Sequence, residues 1–348
     1  MLTSARCVKG VCNMGFIVKN PGISTTIQDA GRYGYQASGV PVSGAIDMFS
    51  LNLANILVGN NRNEACLEML MMGATLEFDG PAVIAITGAD MKPTVNKKAV
   101  PMNEAVVIRN GDVLSFGASD NGNYCYVAFA GGMDIPPVMG SRSTYMKAKI
   151  GGLDGRKLAS GDKIRLCDNI FKLANMKLRH FKRKDYASEV ALRVVLGPQD
   201  DHFTEEGIST FLSAEYTVTS EFDRMGCRLS GDAVATKNGS DIISDGICVG
   251  AVQVPKHGMP IVMLADRQTA GGYTKIATVI SSDLDKLVQC AVGGKVRFKA
   301  VSVSESHKIY KDKKAILDEL EAKLTAVYPP RKFIVEVNDM KFEVELSE

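Results

Sequence analysis

The sequence predicts a mainly β protein of two β-rich lobes, with few helices and a C-terminal helix-and-hairpin tail. Two observations carry that expectation. Short runs rich in β-branched and aromatic residues recur along the chain, most of them bounded by Gly, Pro, Asn or Asp. Glycine is also abundant, 33 of 348 residues, while stretches with a helical period are few.

In order, the strand-like runs are Pro81–Gly88, Glu104–Arg109, Tyr124–Ala130, Ala191–Gly197, Cys248–Val254, Pro260–Ala265 and Val296–Val303. Asn110-Gly111, Asn121-Gly122 and Asn238-Gly239 supply positive-φ turn chemistry between them. A first helix is expected over Asp47–Val58, with Asp47 as its cap and Gly59-Asn60 as its stop. Asp283–Cys290 is a second, short candidate. The clearest is Lys308–Tyr328, with Ile316, Leu320, Leu324 and Val327 on one stripe, a Glu319/Lys323 pair outside, and Pro329-Pro330 ending it. Phe333–Glu345 alternates around Asn338-Asp339 like a hairpin. Residues 177–185 (KLRHFKRKD) interrupt the β pattern and read as a solvated linker. The lobes are therefore placed at 14–185 and 186–306, with the tail at 307–348; residues 1–13 read as an extension.

Composition narrows the function. The 41 basic and 39 acidic residues nearly cancel, so no strong field points to nucleic acid or anionic lipid. No apolar run approaches the ~20 residues that span a bilayer. Eight scattered cysteines without a C-x-x-C pair suit reduced thiols in a cytoplasmic protein better than zinc or disulfides. With 4 His and no metal-ligand spacing, no metal site is expected. Rossmann, P-loop, nucleophile-elbow and H-E-x-x-H patterns are all absent.

Three segments crowd polar side chains between glycines. In Ser24–Asp47 (STTIQDAGRYGYQASGVPVSGAID), Gln28, Asp29 and Arg32 alternate with Gly31 and Gly34. An Asp can take a proton and an Arg can clamp a carboxylate, but a capped turn with a surface ion pair fits the same residues. Gly140-Ser-Arg-Ser-Thr144 sets hydroxyls around Arg142, which suits an anion or simple turn capping. The third set is Ser220–Gly226, Gln253-Val-Pro255 and Asp266–Tyr273, at strand ends and turns.

Together these segments, with N-x-L-V-G-N, A-x-L-E, L-G-P-Q-D, D-R-M-G-x-R-L, Q-V-P-x-x-G-x-P-I and Q-T-x-G-G-Y in this order, resemble the biotin-dependent carboxyltransferase family, also called allophanate hydrolase subunit 2. The resemblance spans about residues 16–305. It implies cyclophilin-like β-barrel lobes and work beside partner proteins. These are a KipI-like protein (allophanate hydrolase subunit 1, the B subunit in 5-oxoprolinase) and, for 5-oxoprolinase, a further A subunit. Such a complex opens 5-oxo-L-proline to L-glutamate with ATP hydrolysis, and this chain would be its C subunit. The alternatives are a biotin-dependent carboxyltransferase of the urea carboxylase type and a KipA-type protein that antagonises a KipI-like kinase inhibitor. ATP would act in the complex, and biotin would come only on a partner carrier, because the tail lacks the attachment motif. Carried over by motif, Asp29, Arg32 and Arg142 are the expected catalytic residues. Gln28, Ser43, Ser143, Thr144, Arg224, Gln253, Gln268, Thr269 and Tyr273 are the expected substrate contacts. Asp223, Lys256-His257, Ala270 and Thr274 depart from the family pattern and leave the substrate open.

Overall fold

The computed structural model describes residues 14–167, 173–182, 185–326, 331–337 and 340–346. The extension at 1–13, Arg183-Lys184 of the charged run, Val327 to Pro330 and the Asn338-Asp339 turn lie outside these residues.

Strands between Gly15 and Arg165 form two sheets, of six and five strands. They enclose a core that includes Phe16, Ile27, Leu67, Phe78, Ile84 and Phe129. The five-stranded sheet is buried on both faces, which is why its central strands, Ala82–Asp90 and Asn121–Phe129, read as almost unbroken apolar runs. Cys125, Val127 and Phe129 point into the inter-sheet core, whereas Tyr124, Tyr126 and Ala128 join a second core beneath helix α1, Met48–Leu57. Asp47 caps α1 as expected, its side chain accepting from Ser50 N–H. The predicted Asn121-Gly122 turn is instead a bulge within a strand, with Gly122 at φ 90° and the register shifting between Asn121 and Cys125.

The second half closes as a barrel of seven strands between Glu189 and Ala300. Its first and last strands, Glu189–Leu196 and Lys295–Ala300, pair in parallel and complete the ring. Closure is thus a property of the second lobe; the first remains two sheets, edged by strands as short as Lys98–Ala99 that offer few bonds for closing. A two-stranded ribbon, Asp241–Gly246 with Ala270–Tyr273, stands apart from the barrel.

Helix α2, Glu205–Ser213, lies in a segment with no helical expectation, although Thr204 caps it through Gly207 N–H. Helix α3 spans Leu284–Val288. Helix α4 runs Val303–Thr325, starting five residues before the expected Lys308 because Ser302 and Glu305 form a capping box. Its inward stripe is shifted too: Leu317 and Leu324 are buried, while Ile316 is exposed. Arg62 ties α4 down through Asp318 and Glu321. The tail hairpin pairs Arg331–Val337 with Met340–Leu346.

The charged run is not simply a solvated connection. Arg179 is buried and donates to the carbonyls of Ile56 and Leu57 at 3.3 and 3.0 Å, where the C-terminus of α1 carries partial negative charge. The halves are also joined by two carboxamides. Gln289 accepts from the N–H groups of Asn123 and Tyr124 (2.8 and 3.0 Å) and donates to Asp47 (2.8 Å); Asn123 donates to the carbonyls of Val288 and Cys290. Of the described cysteines, Cys66, Cys125, Cys227 and Cys290 are buried as expected, but Cys248 is exposed.

Candidate functional site

The loop after strand Ser24–Gln28 brings the first predicted cluster together. The Asp29 carboxylate is buried and accepts four hydrogen bonds: from Gly31 N–H (2.8 Å), Ser141 Oγ (2.6 Å), Ser143 Oγ (2.5 Å) and Arg142 N–H (2.6 Å). Arg32 is fully buried and donates to the carbonyls of Val138 (3.0 Å) and Ser143 (2.9 Å). Burial lowers its pKa, partly offset by Asp29 and Asp266. Gln28 donates to Thr26 and to the Thr144 carbonyl, and Thr144 Oγ1 donates to the Ile27 carbonyl. Arg142 turns away, to the Ile135 carbonyl (2.7 Å) and Glu64 (3.1 Å). Among the described residues Asp29 and Arg32 form no ion pair. Each organises the backbone of the loop.

That loop carries Val42–Ile46, a strip of chain that lines the larger of two cavities and bonds, through the Gly44 carbonyl and Ile46 N–H, to Arg224 and Glu68 of the smaller one. Gly44 requires its lack of side chain: it sits at φ +85°, and a Cβ there would lie 2.9 Å from Gly31 Cα. The smaller cavity, about 340 Å³, is lined by Thr26, Glu68, Tyr124, Tyr145, Arg224 and Asp266, among others. Arg224 holds Asp266 through both carboxylate oxygens (2.9 and 3.0 Å), reaches Glu68, and donates to the Gly44 carbonyl (2.6 Å). Glu68 also accepts from Ile46 N–H (3.0 Å) and Tyr126 Oη (2.7 Å). Burial alone would lower the Arg224 pKa, but Glu68 and Asp266 more than offset it and hold the pKa above its ordinary value. Burial, with Glu68 adding to it, pushes the Tyr124 hydroxyl upward. The lining carries two cations, Lys147 and Arg224, and three carboxylates, Glu68, Asp223 and Asp266, and is formally negative. It suits a ligand that donates N–H groups, as an amide or urea does.

The larger cleft, about 800 Å³, is lined by the strip and closed on one side by α4. Ser43 lines it, as do Tyr33, Phe49, Arg267 and Leu317. Asp266 faces the small cavity, whereas its neighbours Ala265 and Arg267 face the large one.

Gln253 and the ribbon residues line neither cavity. Gln253 is buried and its Nε2 has no partner among the described residues; a Cβ on Gly271 would come within 3.1 Å of it. Gln268 and Tyr273 are exposed, and Thr269 contributes its carbonyl to Ile247 N–H. Nothing in the sequence singles out Lys275, which is buried opposite Gln253 and paired with Asp245 at 3.1 Å. Glu68 had a signal, a lone charge inside the apolar run Cys66–Leu70. Asp223, where the family pattern has Asn, accepts from Met225 and Gly226 N–H, a turn role open to either residue.

The N-termini of α1, α2 and α4 do not suit a triphosphate. Asp47 caps α1, Glu205 and Glu206 open α2, and Glu305 closes the capping box of α4. Each puts a carboxylate where phosphate would need bare N–H groups. ATP therefore does not fit these termini.

Comparison with known proteins agrees with the architecture. Residues 38–300 match the family described as carboxyltransferase domain, subdomain A and B. The chain is 35% identical over 303 residues to the C subunit of 5-oxoprolinase from Escherichia coli, covering 87% of this chain and 96% of that protein. It is 30% identical over 319 residues to urea amidolyase of Saccharomyces cerevisiae, covering 86% of this chain but 17% of that longer protein. Among solved structures, urea amidolyase of Kluyveromyces lactis superposes with a TM-score of 0.81 at 28% identity, over 93% of this chain and 22% of that one. With residues 38–300 matched by the family model and most of its length aligned to these relatives, the chain belongs to the carboxyltransferase family of subdomain A and B proteins.

Proposed function

We propose that this chain is the C subunit of an ATP-dependent 5-oxoprolinase, which opens 5-oxo-L-proline to L-glutamate together with its A and B subunits. The observation that carries the reading is the match to the 5-oxoprolinase protein along 96% of its length, against 17% of the urea amidolyase. Asp29 and Arg32 then act as positioning residues that set the Val42–Ile46 strip. ATP is assigned to one of the two partners. Mixing the chain with both partners should yield L-glutamate and ADP from 5-oxo-L-proline, and a rate unchanged by omitting this chain overturns the reading.

A second reading, carboxyl transfer from biotin on a partner carrier to a urea-like amide, is favoured by the fold match to urea amidolyase. Incubation with a carboxybiotin-loaded carrier and urea would then give carboxylated urea, a product the first reading does not produce.

A further inference from the structure

Arg267 is buried, yet among the described residues it has no carboxylate partner. Its Nε donates to the Ile247 carbonyl at 2.9 Å and its Nη1 to the Leu264 carbonyl at 3.2 Å. Burial lowers its pKa, and no carboxylate contributes in the opposite direction. A buried cation without a counter-charge is an expensive arrangement for a protein to keep. The other cations lining the cleft are paired: Arg62 with Asp318 and Glu321, Lys313 with Asp285, and Lys314 with Asp318.

Ser43 supplies a second, independent sign. It lines the same cleft and is 4% exposed, and its buried Oγ has no partner among the described residues. Its φ of +53° lies in the left-handed region, where a non-glycine residue is strained. Its N–H donates to the carbonyl of Ala265, two residues before Arg267. A glycine would adopt this backbone more easily, so the hydroxyl is kept at a conformational penalty without meeting any described group of the chain. The other arginines do not offer the same site. Arg224 is already saturated by two carboxylates, and Arg32 lines neither cavity.

We infer that the larger cleft is a carboxylate-binding site, in which the Arg267 guanidinium and the Ser43 hydroxyl hold the carboxylate of a small amide-bearing acid. Naming that acid as 5-oxo-L-proline rests on the 5-oxoprolinase reading; the carboxylate chemistry rests on the cleft alone. The site supplies the missing counter-charge to Arg267 and a hydrogen bond to Ser43. It also separates recognition of the acid from the small cavity, whose negative wall would repel a carboxylate.

Calorimetric titration of the isolated full chain tests this, with 5-oxo-L-proline and with 2-pyrrolidinone, the same lactam lacking the carboxylate. The expected result is saturable binding of 5-oxo-L-proline, with 2-pyrrolidinone about tenfold weaker or more, from loss of the charge-assisted bonds. Arg267→Gln should abolish that preference. Ser43→Gly, which relieves the backbone strain and removes the hydroxymethyl side chain, should weaken the acid by about threefold to tenfold. If Arg267→Gln does not fold, the lactam comparison and Ser43→Gly decide. Equal binding of the two lactams, no binding of either, or wild-type affinity in Ser43→Gly overturns the inference. Glutamate formation by the assembled complex is measured separately. Binding without turnover would preserve this site and sink the 5-oxoprolinase reading, and turnover without binding would do the reverse.

Discussion

Asp29→Asn separates a catalytic acid from a structural one. The wild-type carboxylate accepts on Oδ1 from Gly31 N–H, Ser141 Oγ and Ser143 Oγ, and on Oδ2 from Arg142 N–H. Asparagine has one accepting oxygen and one donating NH₂. The serine hydroxyls can rotate to accept from that NH₂, but a backbone N–H cannot. Whichever way the amide faces, either Gly31 or Arg142 keeps a buried N–H against another donor. One orphaned buried donor costs about 1–3 kcal/mol, and replacing charged acceptors by neutral ones weakens the remaining bonds by about 1 kcal/mol each. The sum is about 4–6 kcal/mol. At about 2 °C per kcal/mol for a chain of this size, the melting midpoint should fall by roughly 8–12 °C. Circular dichroism melts of wild type and variant measure this directly. A midpoint within about 2 °C of wild type, paired with lost activity in the complex, would refute the structural role and restore Asp29 as a reacting group.

Three further outcomes follow from the geometry. Asp283 is buried; burial raises its pKa, but bonds from Arg193 and Lys286 outweigh that and lower it below the ordinary carboxylate value. Its folded pKa being depressed, the stability it contributes is present above about pH 4 and lost as pH falls through the folded value; Asp283→Asn should flatten the acid limb of the melting midpoint against pH. Gly44→Ala places a Cβ against Gly31 at φ +85° and should destabilise by about 2 kcal/mol or more, read as a lower urea midpoint. Arg224→Met strands Glu68 and Asp266 as buried carboxylates and should cost about 3–5 kcal/mol; adding Glu68→Gln should recover part of that loss in the same denaturation assay.

Much of the architecture was legible because it obeys local rules. Strand runs such as Pro81–Gly88 carry enough β-branched side chains to declare themselves, and Asp47 announces α1 by its cap. Helix α2 is hidden because Thr204-Glu-Glu reads like a polar loop until Phe211 is seen packed on Phe298. The early start of α4 is hidden because Ser302 and Glu305 mark a boundary only as a reciprocal pair. The site was legible as a set of segments. Which member touches which depends on contacts between residues far apart in the chain, such as Arg224 with Glu68 or Asp29 with Ser141. Ser43 could be placed by motif, but its left-handed backbone and lone hydroxyl are properties of the folded loop.

The parallel pairing of Glu189–Leu196 with Lys295–Ala300 has a consequence for biosynthesis. The first strand of the barrel leaves the ribosome long before its closing partner. At ~5–20 residues per second, the gap lasts on the order of ten seconds. During that interval the open strand offers an unpaired edge to any neighbouring nascent chain. The two-sheet half, whose last strand ends at Arg165, is by then fully synthesised. Slow translation just after Ala300 would prolong crowding without helping closure, whereas a chaperone that shields the Glu189–Leu196 edge would raise the yield of correctly closed protein.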